Sequence, residues 1–257
     1  MFPLPSPDQI ETFLLVLVRC LTFWSIGPLL ADRKVPAQLK ILGGLATAIG
    51  VYSSVDPTHW VKTDSLLVLA SLAGREILMG AALGLAASAV FLAVRMAGSL
   101  LGVQMGFSIA SVMDPQTQTE MSLISEIQEL LAVFLFLLVD GHHRLFQALA
   151  VSLDRVPPGT IGDPGVLLGA LIPIVTAMFG MVIQVGAPIL GAMFLTDAAL
   201  GFVARAVPQM NVFIVGIPVK IAAGMALLVV TAPLFSRLLL FQFGRIDTQL
   251  LSVLRGM

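Results

Sequence analysis

Residues 164–196 read PGVLLGALIPIVTAMFGMVIQVGAPILGAMFLT, thirty-three positions without a single charge. A bilayer core is crossed by about 20 largely apolar residues in helical form. As one straight helix this run is about 50 Å long, well beyond such a core, so Pro173, Gly186 and Pro188 are expected to turn it into a bent or hairpinned pair. Two further uncharged runs, Ile77–Val94 and Met96–Met113, reach spanning length, and Ile41–Val55 falls short of it. Around them, 58% of the 257 residues are hydrophobic and only 11% are charged, against roughly 25% in a soluble domain. That composition excludes a soluble enzyme and a disordered chain. The net charge of −1 gives no footing for nucleic acid, and the lone Cys20 forms neither an internal disulfide nor a multi-cysteine metal site. The fold class is therefore all-α: a polytopic membrane protein of about six to eight helical segments, several broken or hairpinned. Polar breaks are expected at 32–36, 56–64, 114–119, 140–144 and 155–164. Met1–Glu11 holds no Lys or Arg, so the first apolar segment is expected to insert without a removable signal. Arg33, Lys34 and Lys40 favour the cytoplasmic side for the loop that follows it.

Ten charges interrupt or flank the apolar stretches: Arg19, Arg75, Glu76, Arg95, Glu126, Glu129, Asp197, Arg205, Lys220 and Arg237. Facing lipid at mid-depth they would cost on the order of 2.5–3.5 kcal/mol each, more in sum than most folds can absorb. They must meet protein, water or the interface. Arg75 and Glu76 are placed to compensate one another locally, and Glu126 and Glu129 share a helical face. Pro28, Pro173, Pro188, Pro208, Pro218 and Pro233 also lie in apolar sequence, where each removes a backbone donor. Gly80, Gly84 and Ser88, and again Gly98, Gly102 and Gly106, recur at four-residue spacing, which lets helices approach closely within the chain or against another subunit. Such a chain reads as incomplete alone and satisfied inside a larger assembly.

Catalytic signals are absent. No Gly-x-x-x-x-Gly-Lys-Ser/Thr loop, Gly-x-Ser-x-Gly elbow or His-Glu-x-x-His pair occurs. His59, His142 and His143 are the only histidines; adjacent positions point apart on a helix, so a loop or interface role is expected and no metal. No enzyme, cofactor or catalytic residue is assigned. Two segments carry more. Gly98–Glu120, GSLLGVQMGFSIASVMDPQTQTE, begins as a glycine-faced helix, runs through Gln104, Met105, Gly106 and Phe107, and stops at Met113-Asp114-Pro115-Gln116, because a residue before proline is driven from helical geometry. It reads as a plain interhelical loop or as a mobile constriction lining a passage, with adaptable methionines beside it. Gly201–Gly224, GFVARAVPQMNVFIVGIPVKIAAG, mixes Arg205, Pro208, Gln209, Asn211, Phe213, Pro218 and Lys220. It reads as a surface loop between helices or as a protein-facing joint.

In these segments the chain resembles the FliR/SctT family of export-gate membrane proteins, almost end to end. The features that carry the likeness are Pro28 with Pro36 and Lys40, Glu76 followed by Gly80 and Gly84, and Gln104-x-Gly106 before Asp114-Pro115. Gly141-His142 and Ala187-Pro188 follow, then the block Pro208-Gln209-Met210-Asn211-Val212-Phe213 with Gly216-Ile217-Pro218-Val219-Lys220. Asp140 departs from the asparagine common in the family. The resemblance implies a non-enzymatic, channel-forming subunit over residues 1–257 as a single domain, packed with FliP and FliQ homologues and near FlhB and FlhA homologues. It implies the bacterial inner membrane and flagellar basal body, with unfolded rod, hook and filament subunits as the cargo. It also implies a plug-like loop at about 106–120, with Gln104, Met105, Gly106, Phe107, Met113, Asp114, Pro115 and Gln116 as the plug and gate residues. Packing and assembly are then carried by Gly80, Gly84, Gly98, Gly102, Glu76, Glu126, Glu129, Arg205, Pro208, Gln209, Asn211, Phe213, Pro218 and Lys220. Two alternatives stand beside it: a secondary transporter using Arg75, Glu76, Glu126 and Glu129, and the equivalent injectisome subunit.

Overall fold

The computed structural model describes residues 6–28, 35–53, 55–56, 58, 60–63, 65–107, 123–160, 164–209 and 211–255. Eight helices and no strand occur among them: α1 (Pro7–Ile26), α2 (Ala37–Tyr52), α3 (Leu66–Gln104), α4 (Leu123–Leu138), α5 (Gly141–Arg155), α6 (Pro164–Ala206), α7 (Val212–Phe243) and α8 (Ile246–Arg255). Four of them, α1, α3, α6 and α7, are long and apolar enough to cross a membrane. The chain is an all-α, multi-pass membrane protein. It divides into two compact units, one of Met1–Ala89, Asp140–Thr176 and Gly244–Met257, the other of Val90–Val139 and Ala177–Phe243.

Charges and prolines interrupt the helices less than the sequence suggests. The run 164–196 is no hairpin: α6 continues for 43 residues through Pro173 and Pro188. Likewise α7 carries Pro218 and Pro233 in its interior. A proline deletes one backbone bond, whereas a turn in hydrocarbon exposes several unmet groups, so the continuous helix wins. The expected break at 140–144 contracts to Asp140, since Gly141–Arg144 already belong to α5. Asp140 makes the turn by taking the left-handed conformation, φ 54° and ψ 32°, and its carbonyl accepts the His143 N–H at 3.0 Å to begin the helix. At the other end of the chain, α1 starts with proline in its first turn, and Gln9 Oε1 accepts the Ser6 N–H at 2.9 Å.

In the first unit the stripe Gly80–Gly84–Ser88 lies against α1 of the same chain. A Cβ at Gly80 would stand 2.5 Å from the Arg19 carbonyl oxygen, and one at Gly84 2.9 Å from that of Phe23. Ser88 Oγ donates to Ile26 O at 2.6 Å. Close approach within the chain is thus what this spacing serves. It brings Arg19, 1% exposed, onto Glu76, 2% exposed. Arg19 Nε donates to Glu76 Oε2 at 2.5 Å and Nη2 to Oε1 at 3.1 Å. Nη1 donates to Ser152 O at 3.1 Å on α5, and Nη2 also to Val156 O at 3.0 Å. Glu76 Oε1 accepts the Gly159 N–H at 3.2 Å. Local compensation between Arg75 and Glu76 is therefore not what forms: adjacent helical side chains point to different faces, and Arg75 Nη1 is buried without a partner among the described residues. Trp24 Nε1, donating to Thr47 Oγ1 at 2.9 Å, ties α2 to α1.

In the second unit α3 meets α4 through Gly98, where a Cβ would stand 2.6 Å from Ser125 Cα. Ser125 Oγ donates to Arg95 O at 3.0 Å, and Arg95 Nε to Glu129 Oε2 at 3.1 Å. Phe91, Phe136 and Phe243 close on one another with ring centroids 5.3–5.4 Å apart.

Glu76→Ala and Arg19→Ala are each expected to destabilise the chain by about 3–5 kcal/mol, because each strands a buried charge. Thermal unfolding in detergent measures this. Replacing both together, Arg19→Met with Glu76→Leu, should lose much less than the two single changes added.

Candidate functional site

The C-terminal end of α3 is the part of the second unit in which polar, apolar and backbone constraints converge. The helix closes in a Schellman turn: Phe107 N–H donates to Gly102 O at 3.0 Å and Gly106 N–H to Val103 O at 3.1 Å. This closure needs a residue with positive φ, and Gly106 supplies it at 91°. Gly106 is thus a helix stop, which its place in a four-residue glycine spacing did not reveal.

Met105, at the cap of this turn, is fully buried. It packs with Leu101, Ile124, Ile189 and Met193, with Phe107, Leu190 and Leu227 at the margin. Gly224 on α7 makes room for it, since a Cβ there would stand 2.6 Å from Met105 Cγ and 2.8 Å from Sδ. Beside this apolar seat runs a polar chain. Gln104 Nε2 donates to Asp197 Oδ2 at 2.8 Å, and Lys220 Nζ meets Asp197 Oδ1 at 2.7 Å. Three helices, α3, α6 and α7, are pinned by one carboxylate that accepts from both neighbours. Gly224 is the residue sequence reasoning missed, and Asp197, singled out there only as a charge in need of a partner, belongs to the site as well. The signal for Asp197 was its place as the first charge after the uncharged run; Gly224 had none.

A cavity of about 240 Å³ adjoins the same cluster, lined by Ile124, Gln128, Pro188, Ile189, Leu228 and Phe235 among others. Gln128 Oε1 is buried in its wall without a hydrogen-bond partner among the described residues.

The structure thus brings Gln104, Met105, Gly106, Phe107 and Lys220 together. Gly98 and Gly102 are buried higher on α3, Glu129 is paired with Arg95, and Glu126 is half-buried on α4. Glu76, Gly80 and Gly84 belong to the first unit. Arg205, Pro208 and Gln209 are exposed at the end of α6. The Asn211 carbonyl starts α7 by accepting the Ile214 and Val215 N–H groups at 3.1 and 3.3 Å. Phe213 lies in the first turn of α7, and Pro218 is exposed within that helix. Met113, Asp114, Pro115, Gln116 and His59 fall outside the described residues.

The family described as bacterial export proteins, family 1, matches residues 10–246. The flagellar biosynthetic protein FliR of Bacillus subtilis (strain 168) is 38% identical over 228 residues, 87% of this chain and 86% of the relative. FliR of Escherichia coli (strain K12) is 31% identical over 222 residues, 86% and 84%. The Yop proteins translocation protein T of Yersinia pestis is 26% identical over 224 residues, 85% of each.

Gly224→Ala forces Met105 from its seat and is expected to cost about 1–3 kcal/mol, as overpacking does. Adding Met105→Ala should return part of that loss. Thermal unfolding of the single and double variants checks both.

Proposed function

The chain belongs to the bacterial export proteins of family 1, and on that premise we propose how its geometry serves export. It is a non-enzymatic membrane subunit of a type III export gate, helping unfolded protein subunits pass the membrane; the relatives do not favour the secondary-transporter reading. Among the charges which that reading needed, Glu76 is engaged within the fold by Arg19 and Glu129 by Arg95.

The finer reading is that the gate is flagellar, that the whole chain acts as one module in the bacterial inner membrane, and that it assembles with homologues of FliP and FliQ and near those of FlhB and FlhA. Higher identity to the two FliR proteins than to the Yop relative supports the flagellar side. Apolar side chains left exposed on α6 and α7, such as Phe194, Phe202, Ile214 and Val230, support neighbours of lipid and protein. The plug is assigned to about 106–120, with Met113, Asp114, Pro115 and Gln116 in it and Phe107 at its start.

The observation that carries this reading is the anchored exit of that segment from α3. Buried Met105, the Gly106 stop and the Gln104–Asp197–Lys220 chain hold its root. Gating is then a steric event beyond a fixed point: Gln104 and Met105, which the resemblance implied for the plug itself, serve as its root, and the segment withdraws while Met105 stays seated.

Deleting 113–118 in the assembled complex should make the membrane leak ions or small molecules, measured by dye or ion flux. Unchanged permeability of a complex that still assembles would sink the plug assignment. Mild-detergent purification should bring down different membrane partners with the chain; a lone, fully active chain would refute the assembly.

A further inference from the structure

We propose that Asp140, His142 and His143 form a three-ligand site for a divalent transition-metal ion of the zinc class, at the start of α5. Each side chain offers one ligand atom, and the three atoms lie within 4.8 Å of one another. Positions 142 and 143 would diverge on the surface of a regular helix, which is why the sequence alone argued against a metal. Here the two imidazole rings lie with centroids 4.3 Å apart. The left-handed turn at Asp140, φ 54°, brings the carboxylate back over the first turn, with Oδ1 3.7 Å from His143 Nδ1.

A second observation concerns His142. Its Nδ1 is buried and has no hydrogen-bond partner among the described residues, an unmet polar atom on one of the three residues that converge. An ion pair between Asp140 and His143 would use only two of the three groups and requires a protonated ring. A metal ion uses all three, with neutral rings. Two imidazoles and a carboxylate are the ligands of zinc, and imidazole selects against magnesium and calcium. Zinc–ligand bonds of about 2.0–2.2 Å require the groups to close in, and exposed Asp140 and His143 are free to do so. The N-terminus of α5 disfavours a cation, and the Asp140 carboxylate offsets it. Arg144, the nearest cation in sequence, sends Nη1 to the Gly244 carbonyl oxygen at 3.4 Å. Three ligands leave one tetrahedral position for water.

This site is independent of the export reading, and its test reads metal directly. The full chain, purified without a histidine tag and with its membrane partners, is titrated with Co²⁺ while ligand-field absorption is followed, then with Zn²⁺. One Co²⁺ per chain, displaced by Zn²⁺, is the expected result. His142→Ala, His143→Ala and the near-isosteric Asp140→Asn should each weaken binding by roughly tenfold or more, and His59→Ala should leave it unchanged. Gel filtration verifies that each variant remains folded. Absence of saturable binding, or affinity unchanged from the parent chain in the His142→Ala and His143→Ala variants, overturns the proposal.

Discussion

A guanidinium and a carboxylate with almost no exposure to solvent join α1, α3 and the end of α5 in the first unit. Charges in an apolar interior are costly unless they are paired and hydrogen-bonded. Arg19 reaches that state by drawing on two separate parts of the chain: Glu76 on α3, and the Ser152 and Val156 carbonyls at the end of α5. The glycines at 80 and 84 are the condition for it, because only without side chains there can α3 come near enough to α1. A polar pair and a small-residue stripe, separate puzzles in the sequence, are one device.

The second unit uses the same logic with less burial. Arg95 and Glu129 join α3 to α4, and Asp197 joins Gln104 to Lys220 across three helices. In each case a charge that would be costly in lipid serves as a link between helices. Met105 adds the apolar counterpart, seated on Gly224 next to a turn that Gly106 alone makes possible. For an export-gate subunit this gives a firm base from which the following segment departs.

Much of this was legible in the sequence. The long uncharged runs, the helical class and the glycine stripes follow from composition and spacing, and the ordered short motifs carried the family. Other features were not legible, for physical reasons. Arg19 and Glu76 stand 57 residues apart, and no local pattern pairs them, whereas Arg75 is adjacent and wrong. Pro173 and Pro188 suggested a hairpin because proline is read as a breaker, yet in an apolar setting a helix tolerates the loss of single bonds. The imidazoles of His142 and His143 have centroids 4.3 Å apart, a proximity that helical spacing alone does not disclose.

The lengths of α3 and α6 carry a consequence for the surrounding lipid. At 39 and 43 residues their contours are about 58 and 64 Å, roughly twice the hydrocarbon thickness. Length in excess of the acyl region is accommodated by tilt, by local thickening of the bilayer, or by lifting the charge-bearing ends of a helix out of it. Lipid thickness thereby becomes a mechanical variable acting on these two helices.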